Sequence, residues 1–106
     1  MVVSVEVFSV VSDPTRRRIL GELLDGERSV GELVSSLGLP QPTVSKHLKV
    51  LRDRGFVTSR PLAQRRVYRL ELAPFAAIDA WLEPYRQIWN HHLDALERHL
   101  DKQEQP

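Results

Sequence analysis

The sequence predicts a mainly α-helical domain with one small β-hairpin, and three observations predict it. Two short amphipathic segments, Ser29 to Leu37 and the stretch carrying Val44, Leu48 and Leu51, are separated by a short turn, Gly38 and Leu39 to Gln41. After Gly55 the composition turns strand-like, over Phe56 to Arg60 and again over Arg66 to Leu72. From Pro74 a helical apolar repeat carries more hydrophobic surface than one small neighbour can cover. At 106 residues the chain is one domain, with a modest core that self-association would enlarge.

Each element has its own local reason. The apolar opening around Val3, Val5, Val7, Phe8, Val10 and Val11 suits a strand or a helix, and helix is favoured. Asp13 before Pro14 fits an N-cap followed by proline at the first helical position, and Ile19, Leu20, Leu23 and Leu24 continue that helix to Asp25-Gly26. Ser29 with Glu32 three residues later is a capping box; Leu33, Val34 and Leu37 are its buried stripe and Gly38 its stop. The next helix turns Val44, Leu48 and Leu51 inward and ends at Gly55. In the hairpin, Tyr68, Leu70 and Leu72 alternate against Val67, Arg69 and Glu71, with the tip near Pro61 to Arg65. The last helix repeats Phe75, Ile78, Leu82, Tyr85, Trp89, His92, Leu96 and His99, widened by Trp81, Ile88, Leu93 and Leu100. Pro84 is expected to kink or divide it, and the polar tail from Asp101 to fray.

Composition excludes several classes. The chain is 42% hydrophobic and 27% charged, which argues for a globular domain over a disordered one. It has no apolar run near the roughly 18 residues of a spanning helix, and no basic stretch before its apolar opening, so a cytoplasmic protein without membrane contact is expected. Without cysteine there is no disulfide, thiolate ligand or thiol switch. No nucleophile, base and orienting group can be assembled, nor a glycine-rich phosphate loop, so neither catalysis nor a cofactor is expected.

Charge is the strongest functional signal. Between Pro40 and Leu70 eight basic residues face one acid, Asp53, for a net +7, while the rest of the chain is −6 and the total only +1. A basic third on an acidic scaffold is the footprint of a nucleic-acid-binding surface. In a helix-turn-helix the second helix enters the major groove of duplex DNA. With Val44, Leu48 and Leu51 inward, Pro42, Ser45, Lys46 and Lys49 face outward, Thr43 flanks them and Gln41 leads. Gln pairs with adenine edges, Ser and Thr with bases or phosphates, and Lys with guanine or phosphate. His47, at the edge of the buried face, suits a phosphate contact or packing equally. Arg60, Gln64, Arg65 and Arg66 are expected to cluster at the hairpin tip, against the minor groove or phosphates. Arg16, Arg17 and Arg18 open a helix against its dipole; one of them could reach a phosphate, but pairing with Asp13 or the acidic last helix is the commoner fate of such a run and is expected.

His91, His92 and His99, with Asp79, Asp94 and Glu97, invite a zinc site. The spacing opposes it: adjacent residues on a helix point about 100° apart, and His92 and His99 lie two turns from each other. The aromatic residues Trp81, Tyr85 and Trp89 fit more simply as anchors of a dimer seam than as a ligand cage.

Three motifs in order, Ser12-Asp13-Pro14-Thr15-Arg16-Arg17-Arg18-Ile19-Leu20, Gln41-Pro42-Thr43-Val44-Ser45-Lys46-His47-Leu48-Lys49-Val50-Leu51 and Arg65-Arg66-Val67-Tyr68-Arg69-Leu70, resemble the ArsR-type winged helix-turn-helix repressors over nearly the whole chain. The resemblance implies a homodimer joined through its first and last helices, with two reading helices in successive major grooves of an operator, commonly the protein's own promoter. The ending around Trp81-Leu82-Glu83-Pro84-Tyr85-Arg86, Trp89 and Leu93-Asp94-Ala95-Leu96-Glu97 resembles the metal-independent autorepressor branch typified by SdpR. Metal-sensing relatives carry a cysteine pair in the support helix, where Ser29 to Leu37 has none, or four ligands on the last helix. Of those four places Asp79 and His92 match two, and Trp81 and Ala95 occupy the others. Pro40 replaces the family's usual capping Ser, and the hairpin tip lacks its common glycine.

The expectation is one domain over residues 1–106, with the helix-turn-helix at about 29–55, the wing at about 56–72 and the dimerisation helix at about 74–102. Its partners are double-stranded DNA and a second copy of the chain, the latter met through Phe8, Ile78, Leu82, Tyr85, Trp89, His92, Leu93 and Leu96. A protein-interaction module or antirepressor on the same fold, and a ligand- or metal-responsive sensor, are the rival readings; the sequence does not identify an effector.

Overall fold

The computed structural model describes residues 5–104. Its elements run α1 (Val5–Ser12), α2 (Pro14–Glu22), a single 3-10 turn (Leu23–Asp25), β1 (Arg28–Ser29), α3 (Val30–Leu37), α4 (Gln41–Asp53), β2 (Val57–Leu62), β3 (Arg65–Leu70) and α5 (Ala73–Glu104). The opening is helical where it is described; Val3 lies outside the described residues. The helix boundaries follow the capping chemistry. Asp13 accepts from the Arg16 backbone N–H, Ser29 and Glu32 form the reciprocal capping box, and Gly38 closes α3 in the left-handed conformation at φ 66°. At α4, Pro40 stands at the N-cap position without a side-chain bond, so this helix begins without the cap a serine would supply.

Val10, Ile19, Leu20, Leu23, Leu33, Leu37, Val44, Leu48, Leu51, Phe56 and Val57 form one core under α1 to α4 and the base of the hairpin. Phe56 is its largest fully buried side chain and meets the Phe75 ring edge-on at 5.4 Å, anchoring the start of α5. Leu24 departs from the expected stripe. The chain tightens to the 3-10 turn at Leu23, which rotates Leu24 outward and leaves it 75% exposed.

The sheet and the last helix also differ from the sequence expectation. The sheet has three strands, not two: β1 joins β3 antiparallel, giving the order β1-β3-β2. A two-residue strand is too short to show any periodicity, so only the pairing partner reveals it. The strands also reach further toward the tip, pairing Leu62 with Arg65 and leaving Ala63-Gln64 as the turn. Pro61 is tolerated there because β2 is an edge strand. Finally, α5 is one helix of 32 residues, undivided at Pro84 and continuing past Asp101. The alternation in β3 is mixed: Val67 is buried, Tyr68 and Leu70 are half-buried against the core, and Leu72 is exposed.

Arg16, Arg17 and Arg18 make bonds other than the expected acid pairs. Arg16 donates through Nε to the Val10 carbonyl (2.8 Å) and through Nη2 to that of Ser9 (3.0 Å). Arg17 donates to the carbonyls of Val11 (2.8 Å) and Ser12 (3.0 Å). The last four carbonyls of a helix have no intrahelical donor, and these two arginines reach all four of α1. Arg18 does the same for α3 through the Leu37 carbonyl at 3.1 Å. The cations therefore sit at the negative ends of two helix dipoles, which offsets their placement at the positive end of α2.

The molecule is elongated. Its radius of gyration is 19.3 Å and its long axis 68 Å, against about 13 Å for the radius of a compact domain of this size. The excess is α5, which at about 1.5 Å per residue extends nearly 50 Å. From Gln87 to Gln103 every side chain is exposed.

Two outcomes are expected in urea unfolding. Arg16→Met should lower stability by about 1–2 kcal/mol, because two α1 carbonyls lose a charged donor. Ala63→Gly should raise it by about 0.5–1 kcal/mol, since Ala63 holds φ 56°, which glycine adopts without a Cβ penalty.

Candidate nucleic-acid interface

Burial orients α4. Val44 and Leu51 are fully buried and Leu48 nearly so, so Gln41, Pro42, Ser45, Lys46 and Lys49 face outward. Thr43 is half-buried on the flank. His47 is also half-buried, and its Nδ1 is buried without a protein hydrogen-bond partner. It lies close enough to Asp13 to stabilise that carboxylate, although the larger influence on Asp13, which titrates below the usual carboxylate range, is the Arg16 backbone N–H. Half-buried beside the outward face, His47 keeps both of its expected roles, packing and phosphate contact.

The wing arginines do not form one cluster. Arg60 pairs across β2 and β3 with Val67, two residue pairs back from the tip pair of Leu62 and Arg65. Its guanidinium is held by Glu27, Nε donating to Oε2 at 2.9 Å and Nη2 to Oε1 at 3.0 Å. The same fork holds the Glu27 carboxyl below its ordinary range and raises Arg60. Arg65 lies 3.6 Å from Glu32, whose carboxyl is lowered first by the Ser29 backbone N–H of the capping box. Arg66 donates to the Ser59 hydroxyl at 3.0 Å, a neutral partner. Gln64 is exposed in the turn itself.

Acids of the scaffold reach several more of the basic residues between Pro40 and Leu70. Arg54 pairs with Glu6 at 2.9 Å and Arg69 with Glu71 at 3.6 Å. Among the described residues, Lys46, Lys49, Arg52 and Arg66 have no ion-pair partner. Three of these four lie on α4. Sequence reasoning missed Glu27 and Glu32 as partners of the wing, because β1, which brings them to it, gave no signal.

The expected seam residues lie along α1 and α5. Phe8 meets Trp81 edge-on at 5.2 Å, and Trp81 in turn packs with Tyr85 at 5.0 Å. Ile78 is half-buried, while Leu82, Tyr85, Trp89, His92, Leu93 and Leu96 are exposed, Trp89 to 64%. Asp79, one of the two residues matching a metal-sensor position, is bonded to Arg86 at 2.7 Å, and Arg86 also engages Glu83. Among the described residues no group of three or more His, Cys, Asp or Glu side chains is placed to hold a metal ion. Trp81 and Ala95 supply no ligand atom, so the residues present do not fit the metal site of the last helix. No helix among those residues is long and apolar enough to cross a membrane.

Comparison with known proteins agrees with this geometry. Residues 13–59 match the family described as "Bacterial regulatory protein, arsR family". The chain is 35% identical over 96 residues to the HTH-type transcriptional regulator Rv2034 of Mycobacterium tuberculosis, covering 91% of this chain and 87% of that protein. Among solved structures it resembles an ArsR-like transcriptional regulator from Rhodococcus sp. RHA1 (TM-score 0.71, 29% identity, 92% of this chain and 89% of that one). It also resembles the transcriptional repressor BigR from Xylella fastidiosa (TM-score 0.62, 34% identity, 76% of this chain and 83% of that one). A helix-turn-helix with an outward basic reading helix, a three-stranded wing and this kinship together establish that the chain belongs to the ArsR family of winged helix-turn-helix proteins and is a DNA-binding transcriptional regulator, not an enzyme.

Proposed function

We propose that the chain is a homodimeric repressor that occludes a promoter, its own among the candidates, by binding an imperfect palindrome. The observation that carries this reading is the outward face of α4, where Lys46 and Lys49 stand without an acid partner beside Gln41 and Ser45. Gln41 and Thr43 read base edges; Ser45, Lys46 and Lys49 hold phosphates or guanine; Gln64, Arg65 and Arg66 extend the contact from the wing. Half-sites then lie about one helical turn, ~34 Å, apart. Such a protein works where the chromosome is, in the cytoplasm.

Dimerisation is supported by the row of exposed apolar side chains along α5, with Trp89 64%, Ile88 57% and Leu96 54% exposed, the kind of surface that marks an interaction site. Phe8, Ile78, Leu82, Tyr85, Trp89, His92, Leu93 and Leu96 form the seam in this reading. The absence of cysteine and the Asp79–Arg86 bond support the metal-independent, SdpR-like branch.

Lys46→Ala is expected to flatten the slope of log affinity against log salt by about 2 per symmetric dimer, one lost phosphate contact in each copy. An unchanged slope in mobility-shift titrations would remove Lys46 from the interface. Trp89→Glu is expected to give a monomer in sedimentation velocity and to lose operator binding; a variant that stays dimeric would place the seam elsewhere. Added zinc should leave operator affinity unchanged.

A further inference from the structure

We propose that Arg60 is a positioning residue that clamps the wing to the segment entering α3 through Glu27, and that it does not itself contact DNA. The inference rests on the reading of the wing as part of the DNA interface, and it departs from the sequence expectation that all four wing-tip candidates touch the duplex.

The geometry is that of a bidentate fork. Two N–H groups of one guanidinium meet the two oxygens of one carboxylate at 2.9 and 3.0 Å, which fixes orientation as well as distance. The fork also spans the sheet. Arg60 lies on β2, one edge, while Glu27 immediately precedes β1, the other edge, so the pair crosses over β3. Val67 lies in β3 opposite Arg60 on one side and opposite Ser29 on the other, which places all three on the same face. It is 3% exposed although it is not part of the main core, and it shares a cavity of about 180 Å³ with Glu27, Arg60 and Arg69. The long stem of an arginine covers apolar surface while its head stays in water. The clamp therefore shields Val67 and joins the hairpin to the residues that lead into α3.

Arg60 differs in this from Arg66, whose partner is a hydroxyl. A phosphate approaching Arg60 has to displace a carboxylate from a two-bond fork; one approaching Arg66 displaces a single neutral acceptor.

The test compares Arg60→Lys, Glu27→Gln and the exchanged pair Glu27→Arg with Arg60→Glu in the full chain. Two readouts are used: hydrogen exchange of wing amides without DNA, and salt-dependent operator affinity. Arg60→Lys keeps the charge but loses the fork. It and Glu27→Gln are expected to speed exchange at the wing and to weaken binding about fivefold with the salt slope unchanged. The exchanged pair should return both readouts to within about twofold of the native protein. An exchanged pair that binds worse than either single variant, with a flattened slope, would show Arg60 to be a phosphate contact and overturn the proposal. Wing exchange unaffected in every variant would overturn it as well. If the native protein binds no duplex, the reading of DNA contact fails, while hydrogen exchange still decides whether the clamp exists.

Discussion

The arrangement depends on the burial of one stripe of α4. Val44, Leu48 and Leu51 are almost wholly withdrawn from water into a core shared with α2, α3 and Phe56. Burying an aliphatic side chain is favourable by about 1.5–3 kcal/mol, so rotating this helix by even one residue position would expose what is now buried and submerge Lys46 or Lys49. The reading face is thus held outward by what lies behind it. Nothing on the exposed side needs to hold it there.

Charge is organised by the same logic at longer range. The basic segment looks uniformly cationic along the sequence, yet in three dimensions the acids of the scaffold meet much of it. Glu6, Glu27, Glu32 and Glu71 come from four separate places in the chain and engage Arg54, Arg60, Arg65 and Arg69. What remains without an acid partner among the described residues is concentrated on α4. Unpaired positive charge is therefore concentrated on α4, while the sheet beside it is tied by internal pairs. All of these pairs are partly exposed, so their effect on stability is small and their effect on orientation larger.

Much of this was legible before any coordinates. Capping signals work over three or four residues, so Asp13, Ser29, Glu32 and Gly38 marked their boundaries correctly, and the α4 stripe was visible because 3.6-residue periodicity needs only a few turns to appear. What escaped involved partners distant in sequence. Strand β1 is too short to carry a pattern, and with it went the roles of Glu27 and Glu32. The sequence predicts acidic partners for the arginines at 16–18, because it shows charges but not the unpaired carbonyls at the ends of α1 and α3. Pro84 predicts a kink or a division; an exposed helix can hydrate the carbonyl that a proline leaves without a donor, and α5 continues undivided through it.

Ser29 belongs to two elements at once. Its backbone closes β1 against Val67, and its side chain and N–H complete the box that starts α3. Twisting the sheet away from the helix would have to tear one of these attachments at a residue only 5% exposed. The hairpin is accordingly no loose flap. Through that one residue the hairpin and the start of the support helix share a joint, and Ala63 and Gln64 at the far end are carried on the same framework as α3.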